Sequence, residues 1–268
     1  GHSLTDKFDD VADDDTTGRT PRVFIAGDAC HTHSAKAGQG MNVSMGDTFN
    51  LGWKLVSVLL GRASPDLLHS YSAERQQVAQ DLIDFDHEWS RIMAAPPEEG
   101  AAGEDAPRFQ TYFIEHGRYT AGVSVKYGAS ALTGTGRWQD LAPGFDIGTR
   151  LHSAPVIRLV DAKPMQLGEV VQADARWRLI AFAGAGTPLG QGNDMANLLT
   201  FLAEGDASPL KRFTPVGADP DAIIELCAVF QCHHRDMEIT DLPAVLRPAK
   251  GRYGLNDCEK VFCPDQRL

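Results

Sequence analysis

The sequence has no surplus of positive charge and no long apolar run. It contains 25 lysines and arginines against 36 aspartates and glutamates, which gives a formal net charge of -11. Such a chain repels phosphate backbones, so we do not expect nucleic acid as a partner. Even the apolar stretch of residues 51–60 contains Lys54 and Ser57, and it is shorter than the roughly 20 residues that a membrane helix needs. We therefore expect no membrane partner either.

Cysteine is scarce, and it lacks the motif that a redox role requires. With five cysteines, one is unpaired in any disulfide scheme. No secretory signal is evident, so we expect reduced thiols in a cytoplasmic protein. No Cys-x-x-Cys motif occurs, and a redox centre at a helix start would need one. Cys227 and Cys232, like Cys258 and Cys263, have four residues between them, which fits zinc-ligand spacing only at its edge. We predict no metal site.

The glycine fingerprint G-x-G-x-x-G, which binds the ADP half of a dinucleotide between a strand and a helix, is also absent. Gly184 and Gly186 follow an apolar run, but Pro188 stands where a helix would continue, which favours a loop. The chain begins with Gly1 rather than Met, and an acidic, solvated segment follows at residues 6–15. We therefore expect this chain to start in the middle of a domain.

The most informative stretch is residues 22–51. Residues 23–26 predict a short buried strand that ends on Gly27 and Asp28. A loop of small residues follows at 35–40, and then a helix. The apolar residues of this helix recur every three or four positions: Met41, Met45, Phe49, Gly52, Leu55, Val56 and Leu59.

This order of elements predicts a site for an electron-rich ligand. A helix N-terminus carries unpaired N–H groups and partial positive charge, and glycines let a ligand approach the backbone closely. Asp28, at the end of the predicted strand, can accept hydrogen bonds from ligand hydroxyl groups. The alternative is a structural aspartate and a glycine turn between packed elements.

The segment GDACHTHSAKAGQGMNVSMGDTFNLGWKL, residues 27–55, resembles the second flavin-contacting motif of the FAD-dependent aromatic hydroxylases, of the phenol 2-monooxygenase and 3-hydroxybenzoate 4-monooxygenase type. The resemblance implies that Asp28 holds the ribityl chain of FAD. It also implies that five residues lie beside the isoalloxazine ring: Gly38, Gln39, Gly40, Met41 and Asn42. The helix N-terminus would then stabilise negative charge on the reduced flavin. The family usually has proline where this chain has Ala35, so the loop lacks that stiffening.

A second helix is predicted to start at Ser64 and Pro65, a cap followed by a first-turn proline. Its apolar stripe runs from Tyr71 to Ile92, and we expect Glu74 and Arg75 on the solvent face. Its segment YSAERQQVA resembles the Tyr-x-x-Glu-Arg motif of the same family. An ion pair of Arg75 with an acid of the flavin domain is the alternative to a solvated side chain.

The remaining chain divides into a connecting segment and a second domain. Residues 94–105 are rich in Ala, Pro, Glu and Gly, which indicates a loop and a boundary. Farther on, apolar runs predict strands at residues 156–160, 178–183 and 223–230, with a helix at 194–203. The stretches PGFDIGTRL, RWRLIAFAG, ELCAVFQ and YGLNDCEKVFCPDQ resemble the carboxyl-terminal thioredoxin-like domain of the phenol hydroxylases, a structural and dimer-contacting element.

The predicted fold class is therefore α/β. A partial FAD-binding domain with a strand, a glycine loop and long helices occupies residues 1–93, a connecting segment 94–142, and a thioredoxin-like α/β domain 143–268. The resemblance implies a cytoplasmic, homodimeric parent enzyme that hydroxylates a phenolic ring with FAD, NADPH and O2. We nominate no catalytic residue in this chain and expect it to be inactive alone. The alternatives are a non-catalytic dimerisation module and an independent thioredoxin-like redox protein.

Overall fold

A computed structural model of the chain describes residues 1–34, 38–94, 111–112, 114–186, 188–190 and 192–266. They form two compact units, Gly1–Arg150 and Leu151–Leu268. The predicted three-part division at residues 93 and 142 stays a prediction. The departure from the family at Ala35 lies outside the described residues, as does the loop predicted at 94–105 except for Ala94, which is the last residue of a helix. Among the described residues, no helix has both the length and the apolar character that crossing a membrane requires.

Two long helices dominate the first unit, α1 (Gly40–Leu59) and α2 (His69–Ala94). The chain turns between them at Gly61, whose φ is 67°. As predicted, the hydroxyl of Ser64 then accepts the backbone N–H of Asp66 and starts a 3-10 turn at Pro65–Leu68. The strands β1 (Ser3–Leu4) and β2 (His31–Thr32) pair antiparallel, and α3 is a short helix at Gly117–Thr120.

The predicted strand at residues 23–26 is wrong. Within it only Phe24 forms a bridge, with Asp9, and Val23 is 62% exposed. Residues Gly27–Ala29 then make one turn of 3-10 helix. An apolar run becomes a strand only when neighbouring strands satisfy its backbone groups, and the described part of the first unit offers this run a single bridging residue.

The helix predicted after the glycine loop is confirmed as α1, but its faces are reversed. An apolar stripe ordinarily packs against the core. Here the α1 apolar stripe is exposed, with Met41 72%, Met45 53%, Phe49 65%, Val56 43% and Leu59 82% accessible. The buried residues of α1 are Gly40, Asp47, Asn50, Lys54 and Ser57. Within the first unit, α1 therefore buries polar side chains and leaves these five apolar ones exposed, while Leu51 packs on a small apolar cluster around Phe8 and Tyr71.

The second unit is an α/β domain around a five-stranded sheet, and the predicted α/β fold class is confirmed. The strands are β3 (Pro155–Arg158), β4 (Lys163–Gln166), β5 (Trp177–Phe182), β6 (Ile224–Val229) and β9 (Val261–Pro264), in the spatial order β4-β3-β9-β6-β5. Strands β5, β6 and β9 run parallel, and β3 is antiparallel to β4 and β9. The helices are α4 (Asp194–Glu204) and α5 (Pro209–Phe213), and a small hairpin joins β7 (Ala249–Lys250) and β8 (Leu255–Asn256).

Both faces of this sheet are covered. Residues of β6 alternate between two buried clusters, with Leu226 and Ala228 in one and Cys227 and Val229 in the other, as the period of two in a strand requires. The first cluster also contains residues Met195, Leu199 and Leu202 of α4. The predicted strands and helix are confirmed to within a few residues, and the thioredoxin-like assignment stays a prediction.

Candidate functional site

The six residues predicted to contact FAD occupy two places in the first unit. Asp28 belongs to the 3-10 turn Gly27–Ala29, and its side chain is exposed. The other five form the start of α1 and the two residues before it. Among them Gly38, Met41 and Asn42 are exposed, Gln39 is half-buried and Gly40 is buried. The turn Gly27–Ala29 packs against α1, so these residues share one region.

The amino-terminal end of α1 is uncapped. Gln39 occupies the N-cap position without a side-chain hydrogen bond to the helix, and the first turn contains no acidic residue. The amide of Asn42 instead donates to the side-chain oxygen of Gln39 at 3.5 Å. The first N–H groups of a helix have no intrahelical acceptor, and no described side chain caps them here. They can therefore donate to an electron-rich group outside the protein.

Two glycines of this region lie close to neighbouring side chains. A Cβ on Gly40 would lie 1.6 Å from Cε1 of His33, so any side chain there would require the His33 ring to move. Gly27 has a φ of 63°, and a Cβ there would lie 3.1 Å from the Cβ of Ser44. Gly40 therefore lets the His33 ring lie against the start of α1, a reason that the sequence pattern alone did not supply.

A buried carboxylate ties the turn to both helices. Oδ2 of Asp47 accepts the backbone N–H of Gly27 at 3.1 Å and lies 2.9 Å from Nε2 of His31. Oδ1 accepts Nε of Arg75 at 2.7 Å. Burial alone would raise the pKa of Asp47, but hydrogen bonds from His31 and Arg75 and the charge of Arg75 hold that pKa below its ordinary value. Asp47 therefore fixes the Gly27 backbone while its neighbour Asp28 stays exposed.

The prediction that Glu74 and Arg75 face solvent is wrong, since they are only 7% and 4% exposed. Arg75 donates to the Tyr127 hydroxyl at 3.0 Å and to the Val43 carbonyl at 3.2 Å. The carboxylate of Glu74 accepts Asn50 at 2.8 Å and Lys54 at 2.7 Å. The alternative prediction, an ion pair between Arg75 and an acid of the same domain, is the one the structure supports.

Sequence reasoning missed this polar network, although the sequence contains a signal for it. Tyr71 and Val78 are seven residues apart and both buried, so positions 74 and 75 fall between them on the same helical face. On α1, Asp47, Asn50 and Lys54 recur at the same helical spacing. Two matched polar stripes on consecutive helices indicate a buried network, since each supplies partners for the other.

The cysteines that approach each other in the second unit are not those paired by sequence spacing. All five are free. Cys227 lies on one face of β6, whereas Cys232 packs with Cys263 in the cluster on the other face. Burial and the neighbouring Cys232 thiol raise the pKa of Cys263 to about 12, which makes a reactive thiolate unfavourable. His233, which follows Cys232 in the sequence, also has a protein partner, because its Nδ1 accepts the backbone N–H of Arg235.

One group of potential metal ligands occurs among the described residues, formed by Asp221, Glu225 and Asp257. The ammonium of Lys260 already lies between their oxygens, at 2.8, 2.6 and 3.1 Å. A buried ammonium with three carboxylate acceptors satisfies both partners. This cluster is therefore an ion-pair centre in which the Lys260 ammonium occupies the position that a metal ion would take.

Two protein families match different parts of the chain. The family described as "Phenol hydroxylase, C-terminal dimerisation domain" matches residues 125–268. The family described as "FAD binding domain" matches residues 7–86.

Curated relatives include 3-hydroxybenzoate 4-monooxygenase of Comamonas testosteroni, 54% identical over 268 residues, which are 99% of this chain and 42% of the relative. Phenol 2-monooxygenase fsqG of Aspergillus fumigatus is 33% identical over 248 residues, 90% of this chain and 39% of the relative. The chain thus spans about two fifths of the length of these relatives. Among solved structures, the rebeccamycin biosynthetic enzyme RebC with reduced flavin is 26% identical with a TM-score of 0.49, over 87% of this chain and 39% of that one.

Proposed function

This chain belongs to the phenol hydroxylase family, and from that membership we propose that it is part of an FAD-dependent monooxygenase that hydroxylates a phenolic ring. The matches to an FAD-binding domain and to the phenol hydroxylase dimerisation domain support this proposal. So do the activities in the names of its relatives, a 3-hydroxybenzoate 4-monooxygenase and a phenol 2-monooxygenase. We infer that the substrate is a phenolic compound and that NADPH is the reductant.

The proposed flavin contacts are Asp28, Gly38, Gln39, Gly40, Met41 and Asn42. When bound, FAD would supply the redox chemistry of the reaction. This chain would supply an exposed carboxyl group to hold the ribityl hydroxyls and an uncapped helix end for the electron-rich ring. We assign no proton transfer to any residue of this chain.

The observation that carries the proposal is the hydrogen bond from the Gly27 backbone to Asp47. It holds the turn that contains Asp28 against α1, whose amino-terminal end has unsatisfied N–H groups. No described side chain caps this helix end, and the side chain of Asp28 is exposed, so both are available to a ligand.

We further propose that the rest of the FAD-binding domain covers the α1 apolar stripe. Large exposed apolar patches mark interaction surfaces, and five residues of this stripe are 43% to 82% exposed. The relatives are more than twice as long as this chain, so their remaining residues are sufficient for such a cover. In the whole protein, this contact would exclude water from the region beside Met41.

The function is tested on the whole gene product that contains this chain. Purified protein should contain FAD and should oxidise NADPH with O2 when a phenol is supplied. Asp28→Ala should weaken FAD binding by about tenfold or more, because it removes a charged acceptor of hydrogen bonds. Asp66→Ala, at an exposed acid outside the flavin region, is the matched control. A gene product without flavin, or Asp28→Ala with wild-type affinity, would contradict the proposal.

The second candidate function is a non-catalytic dimerisation module. It is favoured by one observation, that the dimerisation family covers residues 125–268, more than half of the chain. In either case we infer that the chain forms a homodimer. Sedimentation equilibrium of the 268-residue chain should give twice the monomer mass, and a monomer at high concentration would exclude both the homodimer and this second function.

We infer a cytoplasmic location from the cysteines. All five are free thiols, and reducing compartments maintain that state. Thiol titration of protein isolated under alkylating conditions should count five free thiols, and a disulfide in that material would contradict the inference.

A further inference from the structure

The second unit contains a cavity of about 580 Å³, within the usual range of about 300 to 1,000 Å³ for small-molecule sites. Its walls are mostly apolar, and its apolar lining includes Leu202, Leu210, Ile224, Leu226, Val245 and Pro248. Three charged residues also line it: Asp221 and Lys260, which are buried, and Lys211, which is exposed and donates to the Glu204 carbonyl at 2.6 Å. A mostly apolar cavity with a few fixed polar groups is the usual form of a small-molecule binding site.

Asp221 offers an unused hydrogen-bond acceptor to this cavity. Its side chain is only 6% exposed. Oδ2 makes all of its ion pairs, at 3.3 Å from Arg176, 2.7 Å from Lys250 and 2.8 Å from Lys260. Oδ1 accepts no hydrogen bond from any residue that the structure describes. Oδ1 is not one of the enclosed polar atoms that lack a partner, so it is accessible to solvent where Asp221 lines the cavity. A ligand that donates a hydrogen bond can replace water at this oxygen.

The neighbouring Lys260 cannot serve an anionic ligand. Its ammonium has three hydrogens, and its three neighbours are Asp221, Glu225 and Asp257. A ligand carboxylate would therefore meet the oxygen of Asp221 without gaining a donor from Lys260. Burial would raise the pKa of Asp221, but hydrogen bonds from Lys250 and Lys260 hold it below its ordinary value, so Asp221 is the charged acceptor at neutral pH.

We propose that this cavity binds a neutral hydroxylated aromatic compound, whose ring lies against the apolar walls and whose hydroxyl donates to Oδ1 of Asp221. The apolar lining favours an uncharged ring, and the free carboxylate oxygen selects a donor over an acceptor. All of the lining residues belong to the second unit, and none is a proposed flavin contact. The inference therefore does not rest on the proposed function.

The ligand test uses three probes on the 268-residue chain: 1-naphthol, 1-methoxynaphthalene and 1-naphthoate. The methyl ether has the same rings but no donor, and the naphthoate carries a negative charge. By calorimetry, 1-naphthol should bind at one saturable site. The ether should bind with at least about tenfold lower affinity, because a hydrogen bond to a charged acceptor is lost. Naphthoate should give no saturation over the same concentrations. Equal affinities for the naphthol and the ether, or no saturable naphthol binding, would overturn the proposal.

Methyl NMR on the same chain locates the site. Naphthol should shift the methyl resonances of Leu202, Leu210 and Leu226, which line the cavity. Shifts confined to Met41 and Met45 would instead indicate binding on the exposed α1 apolar stripe and would overturn the proposal.

A filling variant provides an independent check. Ala244 is an exposed lining residue, whereas Ala207 is exposed and lies outside the lining. Ala244→Phe should weaken naphthol binding at least tenfold, and Ala207→Phe should leave it unchanged. If Ala244→Phe binds naphthol as the wild type does, the proposal fails. If Ala244→Phe does not fold, as shown by loss of its circular dichroism signal, the comparison of naphthol with the ether on the wild-type chain decides whether the proposal holds.

Discussion

The first unit buries charge between two helices, whereas the second buries apolar side chains on both faces of a sheet. In the first, Asp47 and Lys54 are fully buried while Phe49, on the same helix, is 65% exposed. In the second, Phe230 and Phe262 are fully buried, and β6 contributes to both buried clusters. The second unit therefore satisfies the ordinary rule for a domain core by itself, and α1 of the first unit does not.

This difference separates two ways of holding a fold together. Apolar cores gain stability in proportion to the buried area and tolerate conservative exchange. Buried ion pairs gain little net stability but are costly to break, because the remaining partner keeps its desolvation penalty. Substitutions in the two units should therefore differ in pattern, and three predictions follow from the largest expected effect to the smallest.

Asp47→Ala should destabilise the first unit by about 3–5 kcal/mol, the usual cost of leaving a buried charge without its partner. The change removes the acceptor of Arg75, His31 and the Gly27 backbone. Urea unfolding followed by circular dichroism measures it. Asp84→Ala, at an exposed α2 residue that accepts a hydrogen bond from Gln80, should change stability by less than about 0.5 kcal/mol. Similar small effects for both variants would mean that the buried network does not hold this unit.

Leu199→Ala and Phe49→Ala compare the apolar faces of α4 and α1. Leu199 is 2% exposed and Phe49 65%. Leu199→Ala should lower the free energy of unfolding by about 2–5 kcal/mol, because it removes buried apolar surface and leaves a cavity. Phe49→Ala should lower it by less than about 0.5 kcal/mol in this chain. Thermal unfolding of both proteins gives the comparison. A large cost for Phe49→Ala would show that the α1 apolar stripe is already covered in this chain.

Acid should remove the contribution of Asp47. Its pKa in the folded chain lies below the ordinary 3.8, so its stabilisation is present above that pH and is lost as the pH falls through the folded-state pKa. Asp47→Asn should therefore be less stable than the wild type by about 1.5–3 kcal/mol at neutral pH, and the difference should shrink below about pH 4. Urea midpoints between pH 2 and 7 test this, and a difference that is constant with pH would contradict the assignment.

The sequence predicted elements whose signal is local. The apolar runs that became β5 and β6, and the Ser64 and Pro65 start before α2, each lie within a few residues. It failed where the outcome depends on distant partners. Among the described residues, the run at 23–26 has only the bridge from Phe24 to Asp9. Burial of Arg75 depends on Asp47, which is 28 residues away. Cys232 packs with Cys263 because β6 and β9 are adjacent strands, and the spacing of cysteines along the sequence does not predict that contact.

For the candidate site, the sequence predicted which residues to inspect but not how they are held. Asp28 and Met41 are exposed as a ligand site requires, and their contact with flavin stays a proposal. The Asp47 anchor was missed because an aspartate on the polar face of an amphipathic helix resembles a solvent-facing residue until its partners on α2 are known.

The incomplete flavin site proposed for the first unit is tested most directly by titrating the 268-residue chain with FAD and following flavin fluorescence. The sequence lacks the fingerprint for the ADP half of the cofactor, and the α1 apolar stripe is uncovered. We therefore predict weak binding or none at micromolar FAD, while the whole gene product retains the cofactor. Submicromolar affinity of this chain for FAD would contradict that conclusion.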